Sequence, residues 1–373
     1  MLILAENPNM KISEVINYLE SIAPASLQES YDNSGLLTGD RNDEISGVLI
    51  CLDSTEEVIE EAIKHKCNLV VAHHPIIFSG LKKITGKNYV ERVIIKAIKN
   101  NISIFACHTN LDNVNNGVNA KICEKLGLIN PRILLPKDNL LKKLVSFCPV
   151  KQAAEIRTAL FNAGAGHIGE YDHCSFNIEG KGSFRASEEA NPFVGKKGED
   201  HEENEIRIEI LFPAYLESRI LDALFKAHPY EEVAYDIYPL NNKHQNIGSG
   251  MIAELQEPMN ELDFLQDVKK KMKSETIRHS PLLGKKIKKI AVCGGSGSFL
   301  LPQAIQSSAD IFITSDYKYH QFFDADKKIL IADIGHYESE QFTKDLFYEL
   351  ITKKFNTFAV RLSEINTNPV NYL

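Results

Sequence analysis

Apolar and polar residues alternate in blocks along this chain, and two kinds of block recur. Short, fully apolar runs, as in "SGVLICLD", "CNLVVAHH" and "ISIFACHTN", read as strands buried on both faces. Between them lie segments with apolar positions three and four apart, "STEEVIEEAIKHK" and "VERVIIKAIKNN", which read as amphipathic helices. The first opens on Ser54 or Thr55 as N-cap with acids in its first turn, and the second stops at Asn100-Asn101. Ahead of them "KISEVINYLESIAP" is a helix ended by Ala23-Pro24. Apolar strands separated by helices predict a largely parallel sheet with covered faces.

The pattern returns near the other end. "IKKIAVCGG", "ADIFITSD" and "KKILIADIGH" read as strands, "FLLPQAIQSS" as a helix with Pro302 near its first turn, and "ESEQFTKDLFYELITKK" as one long helix. Element order and length match the first part, which predicts an internal duplication of one α/β unit. The middle breaks the pattern. "KLVSFCPV" is a strand, "KQAAEIRTALFNAGAG" a helix closing on glycines, "HCSFNIEGKGSFR" a hairpin, and Ala186 to Asn204 a polar loop. "EIRIEILFP", "AYLESRILDALFKAHP" and "EVAYDIYPL" follow as strand, helix and strand. Strand–helix–strand repeated twice is the ferredoxin-like split βαβ arrangement. The expected organisation is α/β: a first lobe over 1–136, an inserted α+β module over 137–244, and a similar second lobe over 245–373.

Composition narrows the setting. At 373 residues, with 43% hydrophobic and 25% charged content, the chain suits a multidomain globular protein. A net charge of −8 argues against nucleic-acid binding by bulk charge. Its 7 cysteines are scattered, odd in number and without a CxxC, which fits a reducing cytoplasm and not a disulfide framework. "MLILA" at the start is too short for an export signal, and no apolar run approaches the ~20 residues needed to span a membrane.

The chemistry gathers where polar residues follow buried strands. After one strand come His73 and His74, after another His108 and Asp112, after a third Asp316 and His320, and after the last Asp333, His336 and Glu340. Carboxyl ends of parallel strands face one crevice, the usual place for ligands. Imidazole and carboxylate are ligand types of Zn, Mn, Fe or Co. His336 and Glu340 stand i, i+4 on a helix start and share a face. Five or more such ligands exceed the need of one four-coordinate ion. His73 and His74 point in different directions and can serve separate ions, and a shared carboxylate can join them. A metal pair of this kind activates water and polarises a substrate for hydrolysis.

These residues also resemble a known family. "VVAHHP", "HTNLD", "GGSGS", "TSDYKYH" and "GHYESE", in that order, are similar to the NIF-three-like dinuclear-metal-centre family, whose members are often called GTP cyclohydrolase I type 2 homologues. The resemblance covers both lobes and nearly the whole chain. It implies His73, His74, Asp112, His336 and Glu340 as ligands of two divalent ions per chain, with Glu340 between them. It also implies a PII/CutA-like insertion, to which "AHPYEEVAYDIYPL" is similar, a homohexamer, and a nucleotide substrate. His108 is expected as a further ligand, a proton carrier or a residue that orients a ligand. Asp316 and His320 are expected in the cavity wall or on the surface, and Gly294–Ser298 as a phosphate cradle or a plain turn. His228 is expected to be structural, and "GEDHEENE" a solvated face. Three functions compete: a nucleotide-directed hydrolase of GTP cyclohydrolase type, a non-catalytic metal-binding regulator, and a two-metal phosphoesterase.

Overall fold

The computed structural model describes residues 10–373; the opening "MLILA" lies outside the described residues. The strands begin with β1 (Gly35–Thr38), β2 (Gly47–Cys51), β3 (Leu69–Ala72), β4 (Ser103–Ala106) and β5 (Ile129–Lys137). Next come β6 (Leu141–Pro149), β7 (Phe176–Arg185), β8 (Asp200–Pro213) and β9 (Tyr235–Leu240). The last are β10 (His244–Asn260), β11 (Arg278–His279), β12 (Lys286–Ser296), β13 (Ile311–Ser315), β14 (Leu330–Asp333) and β15 (Ala359–Leu362). They form a mixed α/β fold with three sheets, ordered β1-β4-β3-β2-β15, β11-β14-β13-β12-β10-β5 and β7-β8-β6-β9.

Two compact units result. One holds the described residues up to Leu135 together with Asn246–Leu373, and the other is Pro136–Gln245. In the first unit, β15, β2, β3 and β4 run parallel and β1 antiparallel. β12, β13 and β14 are likewise parallel, with β10 and β11 antiparallel at their flanks. Every residue of β2, β3, β4, β13 and β14 is buried, as their unbroken apolar runs require. The helices Glu56–Lys64 and Tyr89–Lys99 contribute Val58, Ile59, Val93 and Ile94 to a core with Leu49, Val70 and Ile104. Around the other sheet Ala291, Phe312 and Ile331 pack with Leu300, Leu301 and Ala304.

Register sets the site. Cys51 pairs with Ala72 and Ala72 with Ala106, so β2, β3 and β4 end level with one another. Asp53, His73 and His108 follow at that edge. In the other sheet Thr314 pairs with Asp333, so Asp316 and His336 also follow level strand ends.

The second unit packs its helices Ala153–Asn162 and Glu217–Ala227 on one face of its antiparallel sheet. Ile156, Leu160, Ile220 and Leu224 meet Ile206, Ile208, Ile210 and Phe212 in a separate core.

Several sequence expectations are corrected. The stretch read as a hairpin at 173–185 supplies one strand, β7, paired with β8 from Phe176↔Glu209 to Arg185↔Asp200. Gly180 and Gly182 suggested a turn, but neither has a left-handed backbone. The segment read as loop to Asn204 becomes strand at Asp200, because that pairing satisfies its backbone regardless of its polar side chains. The long helix expected over 338–354 is two helices, His336–Glu340 and Thr343–Lys354. Neither lobe sheet is wholly parallel. The short edge strands β1 and β15 and the long β10 gave no strong apolar signal.

Candidate metal centre

Four histidines converge, and each is held by its Nδ1. His73, buried completely, donates from Nδ1 to the Cys107 carbonyl at 3.0 Å. His74 Nδ1 bonds Asp53 at 2.7 Å, and Asp53 is in turn bonded by the Thr367 hydroxyl. His108 Nδ1 bonds Asp32 at 2.7 Å, and that carboxylate also accepts from the Thr109 amide and hydroxyl. His336 Nδ1 bonds Asp316 at 2.7 Å. Fixing Nδ1 on an acceptor orients the ring and leaves Nε2 for the site.

Glu340, almost fully buried, lies between two groups of ligands. Its Oε2 is 2.9 Å from His74 Nε2 and 3.1 Å from His336 Nε2, and those two nitrogens are 3.4 Å apart. Its Oε1 is 3.8 Å from His73 Nε2, which is 3.7 Å from Asp112 Oδ1. The ligand atoms of His73, Asp112 and Glu340 all lie within 4.8 Å of one another, and the same holds for His74, His336 and Glu340 and for His73, His74 and His108. Ligands of one tetrahedral zinc stand about 3.3 Å apart. His73 Nε2 and Asp112 Oδ1 are buried with no hydrogen-bond partner. Buried polar atoms are rarely left so, and a cation satisfies both. The donor set therefore fits a metal.

The charges agree. Burial opposes ionisation of Glu340, yet His336, His73 and His74 hold its carboxyl well below the usual range. Burial and the charge of Glu340 push Asp112 up to about 7. His74 loses solvent by burial, but Asp53 and Glu340 outweigh that and raise it to about 10. His336 is raised to about 11 against its burial, by Glu340 and Asp316. With protein groups alone, protons supply the positive charge that these carboxylates require.

All five residues expected as ligands come together, and His108 stands beside them. Asp316 holds His336, from a left-handed backbone with φ of 59°. His320 does not line the cavity around these groups; it stacks on exposed Phe323. The glycine loop is no phosphate cradle. The amides of Gly294, Gly295 and Gly297 donate to Asn119, Ser339 and Thr314. Its use is spatial, since a Cβ on Gly295 would stand 2.4 Å from Glu340 Oε1. His228 accepts from the Tyr230 amide and donates to the Phe147 carbonyl, a structural role. Sequence reasoning missed Asp53 and Asp32. Asp53 closes "VLICLD" at a strand end like the histidines, and that position was a usable signal.

The cluster opens into a cavity of about 750 Å³. Tyr31 and Phe78 stand on its wall with ring centroids 6.3 Å apart, and Phe78 lies 6.4 Å from His108. Arg278 also lines it, held by Asp333 and the Tyr317 carbonyl. No helix among the described residues is long and apolar enough to cross a membrane.

The chain is similar to known proteins over nearly its whole length. A Bacillus subtilis protein named "GTP cyclohydrolase 1 type 2 homolog" is 38% identical over 366 residues, covering 96% of this chain and 98% of its own. A Halalkalibacterium halodurans protein of the same name is 40% identical over 373 residues, covering 98% and 100%. Among solved structures, a Bacillus cereus protein described as related to NIF3 superposes with a TM-score of 0.86 at 39% identity, covering 98% of this chain and 100% of its own. The model of the Duf34/NIF3 (NGG1p interacting factor 3) family matches residues 10–369, and the chain belongs to that family.

Proposed function

We propose that this protein is a dinuclear-metal-dependent hydrolase that acts on a nucleotide, of GTP cyclohydrolase type. The division of one buried carboxylate carries the reading: Glu340 turns Oε1 toward His73 and Oε2 toward His74 and His336. His73 and Asp112 would hold one divalent ion with Oε1, and His74 and His336 the other with Oε2. Zn, Fe and Mn suit these donors. When bound, such a pair supplies an activated water and a polarised substrate. His108, anchored on Asp32, presents its remaining nitrogen to the same cluster as a further ligand or a proton carrier. Tyr31 and Phe78 offer faces for a planar base, and Arg278 offers charge for a phosphate. The names of the curated relatives support GTP as the nucleotide to try first.

Pro136–Gln245, with its own core, supports a second reading in which the chain is a metal-binding regulator. We assign 137–244 as a PII/CutA-like insertion between the lobes 1–136 and 245–373, and place the protein in the cytoplasm as a homohexamer. The phosphoesterase reading loses its glycine cradle, whose amides are engaged within the protein. Incubating metal-loaded protein with GTP separates the three. Formate release is the expected result. Inorganic phosphate without formate would favour a phosphoesterase, and neither product would favour the regulator.

A further inference from the structure

His74 and His336 are 262 residues apart in the chain, yet their Nε2 atoms lie 3.4 Å from one another. Two adjacent residues beyond β15 bear on both sides of this pair. The Thr367 hydroxyl donates to Asp53 Oδ2 at 2.6 Å, while Asp53 Oδ1 lies 2.7 Å from His74 Nδ1. The Asn368 side-chain amide donates to Glu338 Oε1 at 3.0 Å. Glu338 stands between His336 and Glu340 on their helix, and it is buried. Gly335 makes room for it, since a Cβ there would stand 2.1 Å from Glu338 Oε2.

The segment that carries Thr367 is itself held. The Ser363 amide donates to the Ile50 carbonyl of β2 at 2.8 Å, and Ile365 packs on the core that holds Leu49 and Val70. Asn366 Oδ1 accepts from the Asn368 backbone amide at 3.1 Å, and Asn368 Oδ1 accepts from the Val370 amide at 3.0 Å. Such asparagine turns, with Pro369 fixing the backbone between them, leave Thr367 little freedom. Its hydroxyl therefore has a set place. Asp53 has less support of its own, with a third of its side chain exposed. One oxygen on His74 lets a carboxylate swing about that bond, and a second bond on the other oxygen fixes its plane. With an ion on Nε2, His74 keeps its hydrogen on Nδ1 and donates it to Asp53, so the plane of Asp53 sets the aim of the ring. His73 is held instead by the Cys107 carbonyl. We propose, on the dinuclear reading above, that Thr367 is a positioning residue for the ion between His74 and His336, acting through Asp53, and that it serves this ion and not the one at His73 and Asp112.

Chelator competition on the full chain measures both zinc affinities. Thr367→Val keeps the shape of the side chain and removes the hydroxyl, whereas Thr367→Ser keeps the hydroxyl. Thr367→Val is expected to weaken one ion by about tenfold and leave the other within about twofold, with Thr367→Ser close to wild type for both. In a His336→Ala background, which takes away a ligand of the affected ion, Thr367→Val is expected to leave the remaining ion unchanged. Thr367→Val that binds both ions as wild type does would overturn the proposal. So would equal weakening of both ions, a weakened remaining ion in the His336→Ala background, or a loss in Thr367→Ser as large as in Thr367→Val. Wild-type protein that binds fewer than two ions would overturn the dinuclear reading, and the role of Thr367 with it.

Discussion

At the scale of the residue, the centre depends on what each side chain is prevented from doing. The four imidazoles cannot turn, because Cys107, Asp53, Asp32 and Asp316 hold their Nδ1 atoms. Glu340 cannot be replaced by an isostere without loss. Glu340→Gln keeps its shape but removes the charge that offsets repulsion between two dications, and the second ion is expected to bind on the order of a hundredfold more weakly or worse. Asp316→Asn keeps an acceptor for His336 at a half-exposed position, so a loss of about tenfold is expected. Titration of both variants with Zn or Mn checks the order. Acidity gives an independent prediction. His74 and His336 are raised to about 10 and 11, so loading the ion that they would hold at neutral pH must displace their protons. Below those values the protonated forms dominate, and overall affinity falls as pH falls, by about a hundredfold per pH unit for the two protons. Below about 7 Asp112 also takes up a proton and the slope steepens. Chelator competition across pH 6 to 9 measures this dependence, and a flat profile would contradict the assignment of these ligands. The ligand types were legible in the sequence because they follow unbroken apolar strands. Asp53 carried the same strand-end signal and was passed over, whereas Asp32 was not legible, since nothing local says that it will meet His108, 76 residues along the chain.

At the scale of the element, strand ends and one tight approach build the site. Gly295, near the end of β12, has φ of 61° and lies against the helix His336–Glu340. Gly295→Ala is expected to cost about 1–2 kcal/mol through its left-handed backbone alone. It is also expected to push Glu340 Oε1 away from His73, weakening the ion on that side first. Thermal melting with and without metal separates the two effects. The sequence signal "GGSGS" was visible, but its purpose depends on Glu340, which arrives from another strand end. β7 was misread because glycine speaks locally for a turn, whereas its long ladder with β8 decides the outcome. β15 was missed because four residues carry little pattern, and its partner β2 lies near the other end of the chain.

At the scale of the whole molecule, we propose that Pro136–Gln245 is an addition to the unit that carries the candidate metal centre. It has its own core, and the strands flanking it, β5 and β10, are neighbours in one sheet. Replacing 138–243 with a short Gly-Ser linker is expected to leave a folded protein that loads metal as the full chain does. Unfolding of that variant, seen as loss of a cooperative melt, would show that the two bodies depend on one another. The central claim is that Glu340 joins two ions, and elemental analysis tests it most directly. Full-length protein, reconstituted with Zn or Mn and freed of loose metal, is predicted to carry about two ions per chain, and Glu340→Gln about one. One ion or none in the wild-type protein after reconstitution would contradict the dinuclear centre.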